Sequence, residues 1–507
     1  MIKINNIKKI VNSYPKLAAT GYSLLKNFWK IKAEFINYEY PAANINSLPF
    51  EKVKEYNRNR IFGPKMKICY APNNNMHFQT NGDVTSCSFN KKLVIGNVND
   101  NSLKEIWNSN NAIEIRKNMA DYDLNKCHSC KMAFSYENYS SFPPTKYDLF
   151  SEDHSDYPTQ MSFEISNLCN YECIMCNEDL SSSIRKSKNL PPLKNVYPDS
   201  FLEQLSEFIP HLKVATFIGG EPLLIKSYFA IWDQILKSNK DCIIHIQTNG
   251  SVLTSKFLRY LESGQFEIGV SLDALDKKVF EKIRINSKFE EVIENVNTLI
   301  QYYKKGKIGM NINFCLMNNN WEQLPKMLSY CNENNISLKI IQIDSPFNFD
   351  IKHMSYNFIV NVVNTLQSFQ IKPYSNTVIE KRNIVSYNET LSSIQKFKSN
   401  ALQIQDDLLK YSVFSVEELK FKLQDAFNTL AIFQHFNEKV KQDIYNYTIE
   451  HINSLTSDDN IQRRVLSRVL LFLHNNEHDM DDYVNYKEFH KILNGFYFIE
   501  TNYQQND

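Results

Sequence analysis

The chain has 507 residues, 43% of them hydrophobic, with 57 Lys and Arg against 56 Asp and Glu. That size suits about three packed domains, and the balanced charge excludes both the electrostatic footprint of a nucleic-acid binder and an acidic solvating tail. No run approaches the ~18 apolar residues of a membrane span and the start lacks a secretory h-region, so a cytoplasmic protein with no membrane span and no nucleic-acid partner is expected.

In a reducing compartment, clustered cysteines read as metal ligands or redox groups rather than disulfides. Seven of the ten cysteines fall into two clusters, while Cys242, Cys315 and Cys331 stand alone in apolar or helical contexts and read as core filling. Residues 1–60 form a basic N-terminal extension. Within its first 35 residues, Lys3, Lys8, Lys9, Lys16, Lys26, Lys30 and Lys32 stand against the single acid Glu34 and are interleaved with Ile, Leu, Phe and Trp. This reads as a helix packed on the protein with a solvated basic face, the alternative being an anionic membrane surface.

Residues 61–140 hold the first cysteine set, Cys69, Cys87 and Cys127-His-Ser-Cys130. Asn81-Gly82 between MHFQT and VTSCSF signals a type I′ hairpin, which would bring Cys69 and Cys87 together across a small antiparallel sheet. A loop and a helix capped by Asn101 or Ser102 follow. Four converging thiols ending in CxxC would satisfy a structural zinc ion as well as an iron-sulfur cluster. His77 and His128 lie near enough in sequence to substitute as ligands, but four cysteines complete the set, so both read as bystanders. Residues 141–158, rich in Pro, Ser and Asp, read as a linker.

From 159 to 350, short apolar runs alternate with amphipathic helical stretches, the pattern of a parallel sheet flanked by helices. Strands are expected near 160–166, 213–218, 242–247, 266–271, 307–315 and 337–343, with helices near 199–209, 225–238, 288–303 and 321–333. Directly after the first strand comes Cys169-Asn-Tyr-Glu-Cys173-Ile-Met-Cys176. Three thiolates give three ligands to a cluster that takes four, leaving one iron for a non-protein ligand; a buried or zinc-bound triplet is the alternative. The ends of successive strands carry Gly219-Gly220-Glu221-Pro222, Thr248-Asn249-Gly250, and Ser271-Leu-Asp273 followed by Arg284. In parallel α/β barrels the strands' C-terminal ends build the site, and an arginine fork suits a carboxylate. On the first strand, Met161, Phe163 and Ile165 should face the helices and Ser162, Glu164 and Ser166 the lumen. Glu164 and Asp344 are thus candidate catalytic or substrate groups, with strand-end salt bridges as the plainer reading.

The CxxxCxxC spacing resembles the cluster motif of the radical S-adenosylmethionine (SAM) enzymes, and the Cys69–Cys130 stretch resembles the twitch domain, the shorter relative of the SPASM domain, placed here before the barrel. The resemblance, which covers about residues 61–350, implies an α/β protein: a partial (β/α)6 radical SAM barrel preceded by a small α+β twitch domain; the all-α C-terminal domain expected after it is read from composition and helical spacing alone. It implies a SAM-binding 4Fe-4S cluster on Cys169, Cys173 and Cys176, and an auxiliary 4Fe-4S cluster on Cys69, Cys87, Cys127 and Cys130. The cofactor S-adenosyl-L-methionine would be held by Gly219, Gly220, Glu221 and Pro222 at its amino group, by Thr248, Asn249, Ser271 and Asp273 near its ribose, and by Arg284 at its carboxylate. Met175, where the family often has an aromatic residue, would meet adenine through its backbone; Asn313 and Gln342 are further candidates. The implied activity is reductive cleavage of SAM, with a flavodoxin or ferredoxin type reductant, and hydrogen abstraction from a substrate C–H bond. Oxidative modification of a peptide or protein is the expected use, and a sugar-like or other small metabolite is the alternative. A non-catalytic electron carrier or redox sensor, or a zinc-stabilised scaffold, is the rival from another class.

Residues 351–507 contain no glycine before Gly495 and no proline after Pro373, which favours helices. Ser415-x-x-Glu418 is a capping box leading Val416, Leu419, Leu423, Phe427 and Leu430 at helical spacing, and Val465 to Leu473 is a second apolar helix. An all-α domain that covers the barrel mouth or binds substrate is expected, with His435, His451, His474, His478 and His490 at the surface or in packing.

Overall fold

The computed structural model describes residues 48–60, 64–127, 130–131, 134, 142–150, 156–343, 346–430, 436–475, 492–497 and 499. The basic stretch to Glu34, His128, Asp344, His435, His478 and His490 lie outside the described residues.

Helix α1 (Phe50–Asn59) buries Val53 and Tyr56 in a small core with Ile68, Tyr70, Met119, Tyr122 and Phe142. Arg60, just past its end, is fully buried. Its guanidinium forks onto Asp148, Nε to Oδ2 at 2.8 Å and Nη2 to Oδ1 at 2.7 Å, and also donates to the carbonyls of Lys67 and Ile68. Removing either ion alone would strand the other in the core. Asp148 belongs to the stretch expected as a linker. That expectation is corrected for 142–150, where Phe142, Tyr147 and Asp148 are buried and Asp148 is paired with Arg60.

A single turn, α2 (Ala71–Asn74), leads into an antiparallel meander of β1 (Asn75–Phe78), β2 (Asp83–Thr85) and β3 (Val94–Asn97). The hairpin is present but its turn is not type I′. Only Gly82 takes a positive φ, +87°, and its N–H donates to Gln79 O, whereas Asn81 turns its side chain onto Asp83. A type I′ turn needs two left-handed residues, and here the loop spreads over four. Helix α3 (Leu103–Trp107) begins with the Ser102/Glu105 capping box, and α4 (Asn110–Ala120) follows from the Ser109 cap.

The antiparallel strands do not make a separate sheet. β1 runs parallel to β4 (Gln160–Phe163), so the meander extends a nine-stranded sheet. Phe78, Phe163 and the residue in register on the next strand, Phe217, stack across that seam with centroids 5.3 and 5.0 Å apart. Beyond β4 come the two-residue strand β5 (Glu172–Cys173), α5 (Ser182–Ser187), α6 (Asp199–Phe208), β6 (Val214–Phe217), α7 (Lys226–Ser238), β7 (Ile243–Thr248), α8 (Ser255–Leu261), β8 (Gln265–Ser271), α9 (Lys277–Ile283), the short β9 (Arg284–Ile285), α10 (Phe289–Lys304), β10 (Ile308–Leu316), α11 (Leu324–Asn334) and β11 (Ser337–Gln342). β4, β6, β7, β8, β10 and β11 pair in parallel in that order, giving the six strands of a partial barrel.

One face of these strands packs on the helices through Met161, Phe163, Ala215, Phe217, Ile244, Ile246, Ile268, Val270, Ile312 and Phe314. The other face is polar. One layer, read across the register, is His77, Ser162, Thr216, His245, Glu267 and Gly309, and another is Ser271, Asn313 and Lys339. A strand pair buried on both faces would be apolar throughout, so this alternation marks a lumen open to solvent or ligand.

The described C-terminal residues are helical: α12 (Tyr356–Ser368), α13 (Val378–Tyr411), α14 (Val416–Thr429, with the expected Ser415/Glu418 box), α15 (Glu438–Leu455) and α16 (Asp459–Asn475). α13 packs along edge strand β11 through Asn383, which accepts from Leu338 N–H at 2.8 Å and donates to Asn332 Oδ1 and Ile336 O, both at 2.9 Å.

Candidate active site

The Cys169–Cys176 loop leaves β4 and is fixed at both ends. The Ser181–Ser183 run folds back on its start: the Ser182 hydroxyl accepts from Cys169 N–H and donates to Cys169 O, both at 3.0 Å, and Ser183 donates to the same carbonyl at 2.9 Å. Ser181 donates to Tyr171 O at 2.7 Å while capping α5. At the far end β5 pairs antiparallel with β9, setting Cys173 opposite Arg284. The Tyr228 hydroxyl accepts from Ile165 N–H and lies 2.9 and 2.7 Å from the carbonyls of Phe163 and Ile218, holding the ends of β4 and β6 together. These serines and Tyr228 were not singled out from the sequence; the serine run directly after the motif was the available signal.

Gly219 and Gly220 both have positive φ, +82° and +49°. A Cβ on Gly220 would run into the Leu168 carbonyl, and one on Gly219 would meet Glu164 Cγ at 2.7 Å. Only glycine lets these two loops approach. Glu221 is fully buried, and its carboxylate accepts from Thr248 Oγ1 and Asn249 N–H at 2.7 Å each and from Leu223 N–H at 3.1 Å. Burial pushes its pKa up and those three bonds pull against the shift. The carboxylate therefore locks the end of β7 to the Gly-Gly turn. Asn249 continues the network by donating to Asn170 Oδ1 at 3.0 Å.

Arg284 and Asp273 are buried together, Nη2 to Oδ2 at 2.7 Å; Asp273 Oδ1 accepts from Cys315 N–H at 2.8 Å, and Arg284 Nη1 reaches Cys173 Sγ at 3.7 Å. Burial raises the Asp273 carboxyl while Arg284 opposes it. Arg284 Nε has no hydrogen-bond partner among the described residues, so the fork keeps one donor to offer. Burial also pushes the Cys173 thiol up to about 12 and that of Cys176 to about 11, so without a metal these are protonated thiols.

Ser271 and Asn313 face the lumen on adjacent strands, as expected. Gln342 does not. It shares the helix-facing parity of Leu338 and accepts from Ser393 on α13 at 3.2 Å, which corrects its assignment as a site candidate. Cys315, expected in the core, is corrected in the opposite sense: it shares the lumen face of Asn313 and lies within electrostatic reach of Cys173. Cys242 and Cys331 are buried as expected. Met175 is half-buried in the cysteine loop and Pro222 is buried at the turn. Glu164 turns to the lumen side, but its carboxylate pairs with Lys91 Nζ at 2.7 Å and lies 3.3 Å from His77 Nε2. His77, read as a bystander, is thus part of a buried contact between the meander and β4.

In the first cysteine set, Cys69 and Cys130 are buried and Cys87 and Cys127 half-buried, and each thiol is pushed up by burial; Cys69 and Cys130 are raised further by neighbouring members of the set. Asn90 donates to Lys126 O at 2.8 Å and lies 3.6 Å from Cys127 Sγ. Among the described residues no group of three His, Cys, Asp or Glu is placed to hold a single metal ion.

Residues 163–331 match the Radical SAM superfamily, and residues 69–131 match the SPASM iron-sulfur cluster-binding domain. The chain thus contains a region of the radical SAM superfamily, preceded by a region that matches an iron-sulfur cluster-binding domain. A 4Fe-4S cluster, an auxiliary cluster and SAM are the cofactors of these domains. The cradle of Gly219 and Gly220, the unused Arg284 donor and two sets of thiols, Cys69 and Cys130 buried and the other five half-buried, fit such groups.

Among curated relatives, the chain is 24% identical over 246 residues to a probable GTP 3',8-cyclase of Methanocaldococcus jannaschii, covering 48% of this chain and 74% of that protein. It is 21% identical over 265 residues to the molybdenum cofactor biosynthesis protein moc-5 of Caenorhabditis elegans, covering 52% of this chain and 38% of the relative. It is 24% identical over 184 residues to a GTP 3',8-cyclase of Haemophilus influenzae, covering 36% of this chain and 52% of the relative. Solved structures similar in part include anSMEcpe with bound AdoMet, 19% identical, covering 41% of this chain and 58% of that one at a TM-score of 0.32. Streptococcus suis SuiB bound to precursor peptide SuiA is 16% identical, covering 46% of this chain and 52% of that one at a TM-score of 0.30. No helix among the described residues is long and apolar enough to cross a membrane.

Proposed function

We propose that the protein is a radical SAM oxidoreductase that cleaves SAM reductively and removes a hydrogen atom from a C–H bond of a substrate held in the barrel lumen. The observation that carries this reading is the meeting, at one end of the parallel sheet, of the Cys169–Cys176 loop, the Gly219–Gly220 turn and the Asp273–Arg284 pair. Cys169, Cys173 and Cys176 would hold the SAM-binding cluster, and Cys69, Cys87, Cys127 and Cys130 the auxiliary one. When bound and reduced by a flavodoxin or ferredoxin type donor, the first cluster with SAM supplies a 5′-deoxyadenosyl radical.

The chain's own residues do the rest by position. Gly219 and Gly220 open a backbone cradle for an ammonium group, and Glu221 holds that cradle against Thr248 and Asn249. Arg284, oriented by Asp273, offers its remaining donor to a carboxylate. Ser271 and Asn313, paired on adjacent strands, and the Met175 backbone would line the space next to it. The four auxiliary thiols would complete a ligand set by themselves, which suits electron transfer from an oxidised substrate rather than substrate binding.

A peptide or protein substrate is supported by the helices that follow the barrel, where Leu409, Val413 and Phe421 are exposed at 62, 79 and 73%. A small metabolite is the second reading, favoured by the relatives named GTP 3',8-cyclase. Incubation with deuterated candidates from each class tests both: the true substrate transfers deuterium into 5′-deoxyadenosine. Deoxyadenosine that carries no substrate deuterium with any of them would contradict hydrogen abstraction.

A further inference from the structure

Lys339 projects from edge strand β11 on the same face as Asn313, its register partner, and therefore into the lumen. Lys146 reaches toward the same space from the turn at Pro143–Tyr147, its ammonium 4.2 Å above the Phe89 ring. The two lie within electrostatic reach of each other and of His245, the lumen residue of β7. Lys146 is also within reach of Cys87 of the auxiliary set, and Lys339 within reach of Cys315, whose own neighbour is Cys173. The lysines thus bracket the space between the two cysteine sets.

Among the described residues no carboxylate pairs with either ammonium. Glu164 is committed to Lys91, Asp273 to Arg284, and Glu267 in the lumen is pushed toward its neutral form by burial. Burial and then repulsion from Lys339 press Lys146 down to about 8, with Cys87 pulling the other way, and burial lowers Lys339 as well. Both residues nevertheless remain solvent-exposed. Two ammonium groups kept together with no carboxylate partner among the described residues, yet accessible, are an arrangement that an incoming anion would stabilise.

We propose that Lys146 and Lys339 bind an anionic group of the substrate, a carboxylate or a phosphate, and so hold the substrate between the two cysteine sets. The proposal rests on the reading of the lumen as the substrate site. A peptide would bring the carboxylate of an acidic residue or a C-terminus; a nucleotide-like or sugar-like metabolite would bring a phosphate.

The test is calorimetric titration of the full chain, reconstituted anaerobically and saturated with SAM, with inorganic phosphate and separately with glutarate. One of the two should bind at one per chain. Lys146→Gln and Lys339→Gln should each weaken that binding by about tenfold or more, while Lys339→Arg stays within about threefold. Binding of glutarate alone assigns a carboxylate, and binding of phosphate alone a phosphate. Binding of neither at millimolar concentration, or binding that ignores both Gln variants, or an Arg variant as weak as the Gln one, overturns the proposal. Deoxyadenosine formation by the same wild-type preparation judges the radical reading separately. If it forms without anion binding, the lysine site alone is wrong; if lysine-dependent binding occurs with no SAM cleavage, the site stands and its chemistry falls.

Discussion

At Gly220 the backbone approaches Leu168 so closely that no side chain fits, and φ is +49°. Gly220→Ala should therefore push the Gly-Gly turn off the cysteine loop, at a cost of about 1–3 kcal/mol in stability, with loss of SAM-dependent change in the EPR signal of the reduced cluster. An alanine variant that binds SAM like the wild type would show that this contact does not shape the site. Glu164 supports a different kind of test. Burial raises its pKa, but the contacts from His77 and Lys91 outweigh that and hold the carboxyl below its usual value. A depressed folded pKa contributes stability above the unfolded pKa, and that contribution is lost as pH falls through the folded value. Glu164→Gln should lower stability by about 1–3 kcal/mol at neutral pH, since Lys91 is partly exposed. The gap from wild type should close below about pH 4. Denaturant melts of both proteins across that range would show it, and a gap unchanged at low pH would assign the cost to packing instead.

Among the elements, the auxiliary meander and the barrel share one sheet, and the Phe78–Phe163–Phe217 stack crosses their seam. Phe78→Ala should cost about 3–5 kcal/mol and unfold the two regions together in thermal scans. A low-temperature transition confined to the auxiliary cluster's absorbance would contradict that coupling. Asn383 does similar work between α13 and β11. Its replacement by Ala leaves Leu338 N–H and Ile336 O without their partner and should cost about 2–3 kcal/mol. Hydrogen exchange at β11 should rise with it, and unchanged protection there would count against the role.

The sequence read the six barrel strands well because each carries apolar residues at every second position, as in Met161/Phe163, Ile244/Ile246 and Ile312/Phe314, between loop residues. It failed where one residue of parity decides the face. Gln342 sits in a strand as polar as Asn313's, and only the pairing of β10 with β11 shows that Asn313 turns inward and Gln342 toward Ser393. Cys315 was misplaced for the same reason. The joining of the meander to β4 was illegible because the pairing spans some eighty residues of chain and leaves no local mark, and Lys146 gains its place only through that joining.

For the whole molecule, the arrangement is a sheet with a thiol triplet at one strand end, a thiol quartet beside its far edge, and a polar lumen between them. Replacing Cys127 with Ala should remove the auxiliary cluster and with it product formation, while iron on the Cys169–Cys176 loop remains. Unchanged product would end the electron-transfer role. The most direct measurement is made on the wild-type chain: anaerobic reconstitution, iron per chain, then SAM and dithionite, with 5′-deoxyadenosine as the readout. Two four-iron clusters require about eight irons per chain together with deoxyadenosine. Zinc in place of iron after attempted reconstitution, and no deoxyadenosine, would contradict the enzymatic reading.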